Sequence, residues 1–341
     1  MQAIVTRRQG LKARLALQEV AAPGEPGPKD VRVQVQAASV NPKDWKLNVP
    51  LARVTQPVLG KRQRPLFGDD LAGTVVAVGD RVTGLAIGDA VYGMDMRLRT
   101  ASLAQQTLIH HQCVAHKPAS LSFTQAAAMP LAGLTALQGL RKGRVKAGSR
   151  VLIIGASGGV GHFAVQIAKT LGAHVTAVCS TRNLGFVQAL GADASIDYTA
   201  GDYRQSAGPF DLVFDVTSFE SPRSCAAMLA PGGWFISTGG DAFSMLATPL
   251  YRLSGKNAAS LVVKPWRQDL EALTALVEAG SLRPVIDSEF AVADSEQAYQ
   301  RSRSGRCRGK VVIRVASDPH EGVSGSGQPL EHHSMAEDGF E

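Results

Sequence analysis

Between residues 151 and 171 the chain reads Val151-Leu152-Ile153-Ile154, then Gly155-Ala156-Ser157-Gly158-Gly159-Val160-Gly161, then a stretch with apolar residues at Phe163, Val165, Ile167 and Ala168. An apolar strand, a glycine turn and a helical pattern follow in the order of the dinucleotide fingerprint G-x-G-x-x-G, with Ala156, Gly158 and Gly161 at its three glycine places. Gly158 lets the backbone approach a pyrophosphate, Gly161 lets the helix pack close to the strand, and the helix N-terminus offers N–H groups to phosphate oxygens. Ser157, Gly158, Gly159 and Val160 are therefore the expected phosphate-binding residues.

The next apolar run, Val175 to Cys179, ends in Ser180-Thr181-Arg182-Asn183. An NAD site carries an acid there, about twenty residues past the turn, for the ribose hydroxyls. Ser180 and Arg182 instead supply a hydroxyl and a guanidinium with no carboxylate, which suits the 2′-phosphate of NADPH. The plainer reading of Arg182 is a solvated cation at a helix start. Tyr198, after Ile196-Asp197, is either a cover for the adenine end or a half-buried aromatic.

Such a turn needs an α/β framework. From about residue 117 onward, apolar runs at Val151 to Ile154, Val175 to Cys179, Leu212 to Asp215 and Trp234 to Ser237 alternate with helical stretches. Continuous apolar strands between helices predict a doubly wound parallel sheet, a Rossmann nucleotide-binding domain over 118–265. The first 117 residues read as strands and turns, with Val31 to Gln36 alternating and Ala72 to Val78 closed by Gly79-Asp80. This β-rich domain is expected to be completed by 266–315, which holds an amphipathic helix from about Gln268 to Gly280 and a β-branched strand from Lys310 to Val315.

Composition sets the class. The 341 residues, 45% hydrophobic and 19% charged, have enough apolar material for a core in each of two domains and exclude wholesale disorder. No run approaches the roughly 18 apolar residues of a spanning helix, and the opening MQAIVTRRQG lacks the stretch of a secretory signal, so no membrane association and a cytoplasmic location are expected. Cys113, Cys179, Cys225 and Cys307 are too few and scattered for a disulfide framework. The net charge is +7, but residues 316–341 carry six acids and no Lys or Arg, leaving +13 (36 basic, 23 acidic) on the rest. That Gly- and Ser-rich acidic tail, with His332-His333, is expected to be disordered and inert.

The motifs above, with Asn41-Pro42-Lys43-Asp44-Trp45-Lys46 and the stretch AAAMPLAGLTA from Ala126 to Ala136, resemble the medium-chain dehydrogenase/reductase superfamily. More narrowly, the chain is similar to its zinc-free quinone oxidoreductase branch, including the chloroplast-envelope type and the 2-alkenal reductases, over about residues 1–315. The resemblance implies a GroES-like catalytic domain, a Rossmann domain, a cleft between them and a homodimer. Where zinc-dependent relatives place Cys, His and Cys ligands, this chain has Asn41, Asp69 and Ala132, so no metal is expected. His111-x-Cys113-x-x-His116 is a poor replacement, because alternate strand positions face opposite ways.

Without a Lewis acid to activate an alcohol, the implied chemistry is hydride transfer from NADPH to an electrophile, a quinone or an activated alkene. The resemblance puts Asn41 at the nicotinamide ribose or substrate oxygen, Thr135 beside the nicotinamide and Lys310 near the cofactor. Lys46 and Tyr92 are the weaker candidates for anion stabilisation or proton delivery, and Asp44 and Asp70 are expected to organise turns. Two other readings are an enoyl-thioester reductase, distinguished by activity on thioesters but not free enones, and an NADPH-binding protein acting on nucleic acid through its basic surface. The second is disfavoured, because the Lys and Arg clusters are small and not interleaved with aromatics. Substrate identity rests on loops at 47–64, 92–103 and 241–264.

Overall fold

Alternate residues of Asp30–Ser39 (β3) are buried, Val31, Val33 and Val35 completely, as a strand with one face on a core requires. The computed structural model describes residues 1–9, 12–44, 68–95, 100–206, 208–238 and 257–316. A two-stranded antiparallel ribbon, β1 (Gln2–Gln9) and β2 (Lys12–Glu19), precedes β3. The sheet around β3 adds β4 (Asp70–Val78), β5 (Ala90–Met94), β6 (Gln106–His110) and β7 (Val114–His116). Its remaining strands come from the far end of the chain, β14 (Ile286–Ala291) and β15 (Lys310–Arg314). The order is β14-β15-β3-β4-β5-β7, with β6 also on β3. β15 runs antiparallel to β3 with Val312 opposite Ser39, which carries Lys310 into the first sheet.

The second sheet is wholly parallel and has the order β10-β9-β8-β11-β12-β13. Its strands are β8 (Arg150–Ile154), β9 (His174–Cys179), β10 (Ala194–Asp197), β11 (Phe210–Asp215), β12 (Leu229–Ser237) and β13 (Asn257–Ser260). Counted from β8 this is 3-2-1-4-5-6, the doubly wound arrangement, whose order reverses between β8 and β11 and opens a crevice at the strand ends there. Val151, Leu152 and Ile153 are fully buried, as are Leu212, Val213 and Phe214 beside them, which is why these strands read as unbroken apolar runs. The GroES-like plus Rossmann class anticipated from the sequence is the fold observed.

Five helices matter for the site: α1 (Pro130–Lys142), α2 (Gly161–Thr170), α3 (Leu184–Ala189), α4 (Arg267–Glu278) and α5 (Ser295–Arg303). Buried Asp269 at the start of α4 accepts from Gln138 and Arg141 of α1, locking the two helices at the seam between the sheets. Strand β12 starts five residues before the predicted Trp234. Ala230-Pro231-Gly232-Gly233 reads as a turn, and Gly232 does take φ +76°, but a register shift against β11 keeps the segment in the sheet. No helix among the described residues is long and apolar enough to cross a membrane. The acidic tail and most of the three substrate loops lie outside the described residues.

Candidate functional site

The glycine turn leaves β8 through Gly155, whose φ of +83° favours glycine and whose added Cβ would strike Thr217 at 2.4 Å. At Gly161 a Cβ would stand 2.2 Å from the Gly155 carbonyl oxygen, so only glycine lets α2 approach β8 this closely. Gly158 differs: a Cβ there meets nothing nearer than that carbonyl oxygen at 3.4 Å, leaving its open face to a ligand. The N–H of Gly158 bonds Gly155 and that of His162 bonds Gly158, while those of Ser157, Gly159 and Val160 meet no acceptor among the described residues. The turn is braced from behind by His162, fully buried, with Nδ1 on the Gly158 carbonyl at 3.0 Å and Nε2 accepting from Val285 N–H at 3.2 Å. Burial lowers its pKa to about 4, so the ring is neutral.

A cleft of about 960 Å³ runs from this turn across the ends of β9 and β10, and Ser157, Gly158, Ser180, Arg182 and Tyr198 all line it. Tyr198 is exposed on its wall rather than packed in the core. Three residues outside the predicted set complete this end. Buried Asn183 donates to Ser157 Oγ at 3.0 Å and Ser180 Oγ at 3.2 Å and accepts from Arg308 Nε at 2.7 Å. Arg308 also bonds the Arg182 carbonyl, and Arg182 Nη2 donates to the Arg306 carbonyl at 2.9 Å. Arg182, Arg306 and Arg308 thus converge from two distant segments. The signal was present in Arg306-Cys307-Arg308, but only the β15–β3 pairing shows that this cluster meets the end of β9.

A second cluster lies on the other side of the turn. Asp70, fully buried, accepts from Ser39 Oγ (2.6 Å), Asn41 Nδ2 (2.9 Å), Lys310 Nζ (3.3 Å) and the N–H of Leu131 at the start of α1 (2.8 Å). Lys310, also buried, donates to Asn41 Oδ1 at 2.5 Å, and its stem would lie 3.2 Å from a Cβ at Gly159. The stem therefore abuts the turn, and the ammonium points into the Asn41 and Asp70 network. Lys43 pairs with Asp69 at 2.7 Å, and Asp44 closes the turn by accepting from Asn41 N–H at 2.7 Å. Burial, reinforced by Asp69, holds the Asp44 carboxyl well above the usual range, and burial raises Asp69 to about 6 against the pull of Lys43.

One candidate needs correction. Tyr92 is fully buried, and its hydroxyl donates to the Leu270 carbonyl at 2.6 Å and meets Thr274 Oγ1 at 3.1 Å, both on α4. It ties β5 to α4 and has no proton to offer a substrate; burial raises its pKa further. The Thr135 hydroxyl donates to Leu131 within α1 at 2.6 Å, which leaves it as an acceptor only. Lys46 lies outside the described residues. Of the three positions that match zinc ligands in relatives, Asn41 is engaged by Lys310, Asp69 by Lys43, and Ala132 is buried in α1. His116 pairs with Asp89 at 3.0 Å, and no group of three or more potential metal ligands occurs among the described residues.

A nicotinamide adenine dinucleotide fits this arrangement: an open-faced Gly158, N–H groups at the N-terminus of α2 that meet no acceptor among the described residues, and a wide cleft on the β9 and β10 side. Residues 27–162 match the family described as alcohol dehydrogenase GroES-like domain, and residues 190–313 that described as zinc-binding dehydrogenase. The chain is 33% identical over 302 residues to the chloroplast envelope quinone oxidoreductase homolog of Arabidopsis thaliana, covering 84% of this chain and 91% of that protein. It is 34% identical over 293 residues to the 2-methylene-furan-3-one reductase of Solanum lycopersicum, covering 83% and 71%. The structure of the quinone oxidoreductase from Coxiella burnetii superposes with a TM-score of 0.81 at 30% identity, covering 93% of this chain and 99% of that one. The protein therefore belongs to the medium-chain dehydrogenase/reductase superfamily, in its quinone oxidoreductase-like branch, and is an oxidoreductase that uses a nicotinamide cofactor.

Proposed function

We propose that the protein reduces quinones or the activated C=C bond of α,β-unsaturated carbonyls with NADPH and without zinc. The observation that carries this reading is a pair of cation contacts, buried Lys310 on Asn41 and partly exposed Lys43 on buried Asp69, at positions where a catalytic zinc would need free ligands. An ammonium already bonded there competes with a metal for the same oxygens. The preference for NADPH is supported by Ser180, Arg182 and Arg306, which line the cleft past the end of β9, with Arg308 bonded behind them to Asn183 and the Arg182 carbonyl. The acids lining that cleft are engaged, Asp202 with Arg204 at 2.7 Å and Glu220 with the Tyr203 hydroxyl at 2.5 Å.

When bound, the cofactor supplies a hydride to the electron-poor carbon. The chain's share is positioning and hydrogen bonding. Of Asn41's two amide N–H groups, Asp70 takes one, and the other remains to donate to a ribose or substrate oxygen. Lys310 and Asp70 hold that carboxamide in a single orientation, so its donor is preorganised before substrate arrives. Thr135 contributes an acceptor oxygen on the nicotinamide side. A homodimer belongs to the same reading; edge strand β13 offers a row of backbone groups to a partner.

The test is metal-stripped protein with NADPH and a panel of a quinone, a short enal, an enone and an enoyl thioester. Turnover of the quinone, enal or enone is expected. Activity confined to the thioester would replace this reading with that of an acyl-thioester reductase, and activity that returns only on adding zinc would refute metal independence.

A further inference from the structure

Phe219 is 90% exposed, the most of any large apolar side chain among the described residues, and it lines the nucleotide cleft. A single exposed apolar residue is ordinary on a surface, so the loop that carries it decides. Asp215, fully buried at the end of β11, accepts from Thr217 N–H (2.9 Å), Thr217 Oγ1 (2.6 Å) and Ser218 N–H (3.1 Å) through one oxygen and from Glu220 N–H (2.8 Å) through the other. Ser218 is held at φ +61°, a left-handed conformation uncommon for a residue with a Cβ. The Glu220 carboxylate takes the Tyr203 and Ser224 hydroxyls, both at 2.5 Å. Both neighbours of Phe219 are thus fixed, one of them at a cost in backbone strain, to present a ring that lies in solvent. Strain of this kind persists where the surroundings over-determine it, as they do at ligand clamps.

The cleft says what the ring meets. Its phosphate turn begins at the end of β8, and Ser180 and Arg182 follow β9. In NADPH the adenine shares its ribose with the 2′-phosphate, so the base lies one sugar away from the group that Arg182 would bind. In the sheet order β10-β9-β8-β11, Tyr198 follows β10 and Phe219 follows β11, so the two rings flank the ends of β9 and β8 from opposite sides of one cleft. Tyr198 is itself 55% exposed. Other polar groups on that lining are engaged with one another, Asp202 with Arg204 and Glu220 with Tyr203. This end of the cleft offers ring faces to a base and few free partners to its edges. A purine gains from such faces because each base has an apolar π-surface.

We infer that Phe219, opposed by Tyr198, stacks on the adenine of the cofactor, and that the base is held by its faces rather than by hydrogen bonds to its edges. The inference rests on the NADPH reading above. Phe219 is then a binding residue in a loop outside both the glycine turn and the basic site past β9.

The test uses ADP-ribose and 2′-phospho-ADP-ribose, which carry the base and phosphates without a nicotinamide, titrated into the full-length protein by calorimetry. Phe219→Ala should weaken both about tenfold, the worth of one stacked base. Its melting midpoint should stay within about 2 °C of wild type, because the ring is exposed. Phe219→Trp should keep wild-type affinity, whereas Phe219→Leu should lose as much as Phe219→Ala, since an aliphatic side chain covers a base without stacking on it. Deamino-NADPH, whose hypoxanthine has similar faces and different edges, should bind within about threefold of NADPH. Arg182→Glu should weaken only the 2′-phosphorylated ligand, which separates the base from the phosphate. Wild-type affinity for ADP-ribose in Phe219→Ala or Phe219→Leu would overturn the inference and leave Phe219 to some other partner. A loss of tenfold or more with deamino-NADPH would overturn it too, by showing that the edge of the base is read. Equal affinity of the wild-type protein for the two ribose ligands would refute the NADPH reading while the Phe219 variants still judge the stack.

Discussion

Arg308 donates through Nε to the carboxamide oxygen of Asn183, 2.7 Å away and 125 residues earlier in the chain, and Asn183 in turn bonds Ser157 of the glycine turn. The segment entering β15 and the loop leaving β9 therefore build one basic site on the rim of the nucleotide cleft. Arg308→Ala removes a charged donor from buried Asn183, and Arg182→Glu reverses a charge on the cleft wall. Each should raise the NADPH Kd by about 10- to 100-fold, the equivalent of one charged hydrogen bond, and leave the NADH Kd within about threefold. Equilibrium titration with both cofactors checks this; equal losses for the two would remove the 2′-phosphate from the account.

Two glycines of the same turn should respond oppositely to alanine. Gly158→Ala meets no protein atom closer than 3.4 Å, so its thermal stability should match wild type within about 0.5 kcal/mol while NADPH binding weakens at least about tenfold. Gly161→Ala forces a Cβ to 2.2 Å from a backbone oxygen and should destabilise the fold by about 1–3 kcal/mol. Calorimetric unfolding beside cofactor titration separates the two.

His162 makes stability fall in acid. Its pKa is lowered to about 4 in the folded protein from an ordinary 6.5, so between those values the unfolded chain binds a proton that the folded one refuses. The contribution is fully present above pH 6.5 and declines by about 3 kcal/mol as pH falls through 4. Asp69, raised to about 6, works the other way, adding stability as pH drops below 6 toward 3.8. Denaturant melts across this range should show a shallower acid loss in His162→Gln and a steeper one in Asp69→Asn.

Tyr92→Phe deletes a hydroxyl that bonds only α4 in the structure described above. Stability should fall by about 1 kcal/mol with kcat unchanged. A large loss of kcat at unaltered stability would return Tyr92 to the reacting centre.

The parallel sheet was legible because its strands are buried on both faces and write themselves as apolar runs, and the glycine turn because steric demands at Gly155 and Gly161 admit one residue type. The half-site at Arg306 and Arg308 was not, since basic residues before Gly309 look like any solvated cluster until β15 pairs with β3. Tyr92 misled for a related reason. A tyrosine in an apolar strand reads as a candidate acid until its hydroxyl partner, the Leu270 carbonyl 178 residues away, is known. Nothing local to Asn41-Pro42-Lys43-Asp44 reveals that Asp69 lies beside Lys43.

The central claim, hydride transfer to an electron-poor carbon without zinc, is tested most directly by isotope tracing. Metal-stripped protein is given NADPH bearing deuterium at the transferable C4 position together with an enone, and the product is examined by mass spectrometry and NMR. One deuterium at the β-carbon and a solvent proton at the α-carbon is the predicted result. Transfer to the carbonyl carbon, giving an allylic alcohol, or transfer that requires added zinc would contradict the account.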